Sequence, residues 1–152
     1  MLLLLLDSNI LGRMVRPEIE ENRPVVSALI RLGDMGFRIL VPEIIDYELR
    51  RKLLHLAFHP RQPRRWAKVA LDHLEGLGAA GYVALTTDTL RLAAELWADS
   101  RAQGQSRDHE DGLDVDVILA AQARQNGAYI VTSNEKHFQG MAPIFDWRPY
   151  QP

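Results

Sequence analysis

Four polar residues stand far apart in the chain yet share a local setting: Asp7, Glu48, Asp116 and Asn134. Asp7 directly follows the apolar run Leu2–Leu6, and Asn134 lies two residues past the apolar segment Ala128–Thr132. Glu48 falls in a helical pattern that follows a second apolar segment, and Asp116 in the first turn of a later one. In open parallel sheets, sites collect beyond the carboxyl ends of the strands, so one rim can gather all four. Clustered carboxylates raise one another's pKa and need a cation to be stable together. Hard oxygen donors suit Mg²⁺ or Mn²⁺, which also engage phosphate. Such an ion can polarise a phosphodiester for in-line attack by water.

Each residue also has a plainer local reading. Asp7 can cap a helix, and Asp114 and Asp116 at a helix start can face the macrodipole. Glu48 can pair with Lys52 one helical turn on, and Asn134 can be a turn or cap residue. His55 and His59 share a helical face, but two histidines without a third ligand make a weak metal site.

The elements that must hold these residues follow from periodicity. Leu2–Leu6 predicts a strand covered on both faces. Ser8 predicts the N-cap of a short helix ended by Pro17, and Asn22 the cap of a second, with Pro24 in its first turn. Phe37–Val41 predicts a strand, Pro42 to about Phe58 a helix, and Trp66 to Gly76–Gly78 another. Tyr82–Leu85 is extended, Thr86 or Thr87 starts a fifth helix, and Gln103–Gly112 is an exposed loop. A sixth helix begins at Asp114 or its neighbour and ends near Asn126-Gly127. Ala128–Thr132 is a strand, Asn134–Phe138 a helical turn, and Ile144-Phe145 an edge strand. Alternation of this kind predicts an α/β fold with a short, mostly parallel central sheet. No repeat or linker interrupts it, so residues 1–152 are expected to form one domain.

Composition narrows the classes. There is no cysteine, which excludes thiolate chemistry and disulfide scaffolding and is compatible with a reducing cytoplasm, the expected location. The leucine run stops at Asp7, too short for a signal or membrane segment, and no later stretch spans a bilayer. The net charge of −2 is uninformative, but its distribution is not. Seven basic residues and no acid lie between Arg50 and Lys68, whereas Asp108, Glu110, Asp111, Asp114 and Asp116 crowd a short acidic stretch. A protein that holds divalent cations and touches a polyanion needs both surfaces. Arg50, Arg51, Arg61, Arg64 and Arg65 are the candidate RNA contacts, although a basic run is often only a solvated face.

Four segments in order carry a family resemblance. Leu6-Asp7-Ser8-Asn9-Ile10-Leu11 resembles the first motif of PIN domains, and Tyr47-Glu48-Leu49-Arg50-Arg51 the second. Asp116-Val117-Ile118-Leu119-Ala120-Ala121 resembles the third, and Tyr129 through Phe138 the fourth, an apolar strand followed by Thr, Asp or Asn and a closing Phe. The resemblance implies a three-layer α/β/α PIN fold and Mg²⁺- or Mn²⁺-dependent cleavage of RNA. It also implies similarity to VapC-type toxins, with a small antitoxin partner and a homodimer. It assigns Asp7, Glu48 and Asp116 as catalytic metal carboxylates and Asn134 to the fourth position. Asp114 becomes an auxiliary ligand, and Ser8 and Thr132 hydrogen-bonding neighbours of the site. Asn134 stands where the family motif also carries Asp, which removes one ligand charge. The alternative expectation is therefore a PIN-like module that binds RNA or protein with weak or no catalysis. A phosphatase-like domain using Asp7 as phosphate acceptor lacks the second nearby Asp it would need.

Overall fold

A computed structural model describes residues 1–104 and 110–152. Four parallel strands form one sheet in the order β3-β2-β1-β4, with β1 Leu3–Leu6, β2 Arg38–Pro42, β3 Tyr82–Val83 and β4 Tyr129–Val131. Helices flank it: α1 Ser8–Met14, α2 Arg23–Asp34, α3 Glu43–Ala57, α4 Arg65–Gly78, α5 Thr87–Ala102 and α6 Glu110–Gln125. The predicted α/β architecture with a short parallel sheet is the one observed.

The leucine run is central because it is apolar on both faces. Leu4, Leu5 and Leu6 are buried, and β1 pairs with β2 on one side and β4 on the other. In α2, Val25, Ala28, Leu29 and Leu32 recur at helical spacing and form the buried stripe. Phe138 is fully buried and pins the 3-10 turn Glu135–Phe138 under the sheet's end. Gly127, at φ 58°, closes α6 in the left-handed conformation that glycine adopts without strain, and β4 follows at once.

Several boundaries differ from the sequence expectation. The N-cap of α1 is Asp7, not Ser8: its carboxylate accepts from the Ser8 N–H. Asn22 precedes α2 but makes no side-chain cap; its amide instead donates to the Arg16 carbonyl at 2.9 Å. α6 starts at Glu110, so residues 110–112 are helical rather than loop, while 105–109 lie outside the described residues. Asp114 and Asp116 are therefore in the second turn of α6, beyond the reach of its N-terminal dipole. The last predicted strand shrinks to a single parallel bridge, Ile130 with Ile144.

Candidate metal centre

Asp7 sits at the carboxyl end of the central strand, its N–H bonded to the Val131 carbonyl of β4 at 3.0 Å. That register brings Thr132 beside it, and Thr132 Oγ1 donates to Asp7 Oδ2 at 2.7 Å. Asn9, in the first turn of α1, donates from Nδ2 to the same Oδ2 at 3.1 Å and accepts from the Ser133 N–H at 3.2 Å. Ser8 contributes its backbone N–H to Asp7 Oδ1 at 2.7 Å. Thr132 Oγ1 also accepts from the Asn134 N–H at 2.9 Å, which fixes the loop after β4. Asp7 thus does cap a helix, and the same carboxylate is tied to two further side chains.

Asp7 is 6% exposed. Burial pushes its pKa above the ordinary carboxylate value; the Thr132 and Ser8 hydrogen bonds oppose this, the Glu48 charge adds to it, and His137 opposes it. Glu48 and His137 are therefore both within electrostatic reach of Asp7. His137 Nδ1 lies 3.1 Å from Asp116 Oδ2, so the third carboxylate joins the group through the imidazole. Lys52 Nζ lies 3.0 Å from Glu48 Oε1, realising the one-turn pair of the plainer reading.

As placed, no three acidic or imidazole groups among the described residues converge to hold an ion together. Glu48 and Asp116 each face a cationic or potentially cationic neighbour. The donor set still fits a hard divalent ion in kind, since a buried carboxylate destabilised by a second carboxylate is a group that a cation would relieve. Asp7, Glu48 and Asp116 are the residues that would hold it.

The remaining predicted residues fall in different places. Asn134 caps nothing with its side chain; it lines a cleft together with His137. Asp114 lines an apolar cavity between α5 and α6 with Trp97, Val117 and Ile118, on a different flank of α6 from Asp116. Arg50 is held bidentately by Asp46, at 2.7 and 2.9 Å, and reaches Glu75 as well. Arg51 lies over the Tyr47 ring, and Arg61, Arg64 and Arg65 are exposed at the start of α4 and before it. Asn9 and His137 were not assigned roles from sequence. Asn9 lies in the first motif segment, but only the β1–β4 register reveals that its amide bridges Asp7 to the loop after β4. His137 lies within the fourth motif segment, one turn past Asn134.

A parallel sheet with a buried carboxylate at the end of its central strand defines the class, an α/β domain with a candidate acidic centre. The chain belongs to the PIN domain family, whose profile matches residues 4–142. No curated protein matches the chain significantly. Among solved structures it resembles VapBC2 from Rickettsia felis bound to a DNA fragment from its promoter (TM-score 0.73, 15% identity, covering 96% of this chain and 99% of that one). It is also similar to DNA-bound VapBC from Salmonella typhimurium (TM-score 0.71, 19% identity, 97% and 99% covered). FitAcB from Neisseria gonorrhoeae is a third (TM-score 0.68, 20% identity, 95% and 97% covered). At these identities the likeness speaks for the fold.

Proposed function

We propose that the chain is a Mg²⁺- or Mn²⁺-dependent endoribonuclease acting as the toxin of a VapBC-type pair, with a small antitoxin partner and a homodimeric state. The observation that carries this reading is the buried Asp7, raised in pKa by burial and by Glu48, with Asp116 joined to the group through His137. Family membership and the likeness to VapBC and FitAB complexes support it.

A bound divalent ion would supply the positive charge that polarises the scissile phosphate. The chain's own residues do the rest. Thr132, Asn9 and the Ser8 N–H fix the orientation of Asp7, so its carboxylate needs little reorganisation when the ion arrives. Lys52 pairs with Glu48 and the His137 imidazole lies against Asp116, and both neighbours would give way to a bound ion. The exposed Arg51, Arg61, Arg64 and Arg65 are proposed to hold the RNA backbone.

The test is cleavage of a mixed RNA pool by protein freed of antitoxin, with Mg²⁺ or Mn²⁺, wild type against Asp116→Asn. Metal-dependent cutting lost in the variant is expected; no cutting by the wild type would overturn the reading. The alternative, a module that binds without cutting, draws on the neutral Asn134 at the fourth motif position, whose N–H bonds Thr132, and RNA binding without turnover would favour it.

A further inference from the structure

Beside the candidate centre lies a cleft of about 540 Å³ lined by Ser133, Asn134, Glu135, Lys136, His137 and Arg148. Its size is in the range of small-molecule sites, and it adjoins the centre through His137. Asn134 is fixed there through Thr132, which also holds Asp7, and His137 faces Asp116. The cleft's ionic groups are unequally engaged. Arg148 Nη1 is shared by Glu135 at 2.7 Å and Asp146 at 3.0 Å, so its charge is offset by two carboxylates. Lys136 is exposed and makes no hydrogen bond or ion pair with any described residue. Beside an arginine already held by two carboxylates, an unengaged cation suits an anion that comes with a ligand.

We propose that this cleft binds a backbone phosphate of the RNA strand neighbouring the one cut, with Lys136 as its cationic contact. The proposal rests on the ribonuclease reading and adds a substrate-positioning site to it. A contact to phosphate alone is blind to base identity, so its loss weakens all sequences alike.

The experiment measures binding of a labelled mixed-sequence single-stranded RNA by fluorescence anisotropy across a salt series, with divalent ion chelated. Lys136→Ala should weaken binding roughly two- to fivefold, as for a partly exposed ion pair. It should flatten the slope of log affinity against log salt by about 0.7, the value for one contact to a single strand. Lys136→Arg should restore the slope, and Lys136→Glu should weaken binding further. In cleavage assays Lys136→Ala should raise KM and leave kcat unchanged. An unchanged slope in Lys136→Ala, with RNA still bound and cut, overturns the subsite alone. Failure of the wild type to bind RNA at any salt overturns both the subsite and the reading beneath it.

Discussion

Thr132 Oγ1 donates a 2.7 Å hydrogen bond to Asp7 Oδ2 between residues 125 positions apart in sequence. The bond joins the carboxyl ends of β1 and β4. The hydroxyl also accepts from the Asn9 amide and the Asn134 N–H, so one side chain sets the position of the buried carboxylate and of the loop beside it.

Thr132→Val keeps the shape and removes the hydroxyl. It strands the Asn134 N–H and deprives Asp7 of a bond that lowers its pKa. A loss of about 1–3 kcal/mol in unfolding free energy is expected, the cost of leaving a buried polar group unsatisfied. Thr132→Ser should recover most of it. Urea unfolding of the three proteins checks this, and RNA cleavage should fall in the valine variant and return in the serine one.

Asp7→Asn and Asp116→Asn are both expected to abolish metal-dependent cleavage, but to differ in stability. Asp7 Oδ2 accepts from both Thr132 Oγ1 and Asn9 Nδ2, and an amide nitrogen in that place would face donors. Asp7→Asn should therefore destabilise by about 1–2 kcal/mol despite removing an unfavourable charge. Asp116 Oδ2 lies 3.1 Å from Nδ1 of the half-exposed His137 imidazole, so Asp116→Asn should stay within about 1 kcal/mol of wild type. Equal stability losses in both variants would contradict the assignment of Asp7 as the structurally embedded carboxylate.

Asp46 provides the pH dependence. Burial raises its pKa, but the Arg50 and Tyr82 hydrogen bonds and the Arg50 charge outweigh that and hold it below the ordinary value. Because the folded pKa is depressed, the stabilisation is present above the unfolded pKa of about 3.9 and is lost as pH falls through the folded value. Urea midpoints should therefore drop below about pH 4 in the wild type, and more shallowly in Arg50→Met, which starts lower at neutral pH.

Gly78→Ala should destabilise by about 1–3 kcal/mol, the range for overpacking. A Cβ at Gly78 would run into the Tyr82 ring and hydroxyl, and moving the ring breaks the 2.8 Å bond from Tyr82 to Asp46. Thermal unfolding of Gly78→Ala, Tyr82→Ala and the double variant tests this; the double variant should cost less than the sum, because the clash disappears with the ring.

How much of this was legible in the residues depends on the range of the interaction. β1 and the amphipathic helices were readable because apolar runs and helical periodicity are local signals. The early start of α6 was not, because its first turn, polar and containing Gly112, has the composition of a loop. Asp7, Glu48 and Asp116 were read as ordered motif residues; in the fold Glu48 and His137 act electrostatically on Asp7 and His137 meets Asp116, while no three of these groups converge among the described residues. The roles of Asn9 and His137 were missed because each depends on a partner more than 20 positions away. Arg50 was read with its basic neighbours, but Asp46 and Tyr82 meet around it only when α3 and β3 are side by side.

The strand order carries a last consequence. The first strand made is flanked by the second and by the last, and the group around Asp7 takes Thr132 and His137 from beyond residue 130. A chain emerging from the ribosome therefore lacks this centre until β4 has been synthesised and has docked on β1. The bonds that orient Asp7 are therefore made late, by the docking of a single strand.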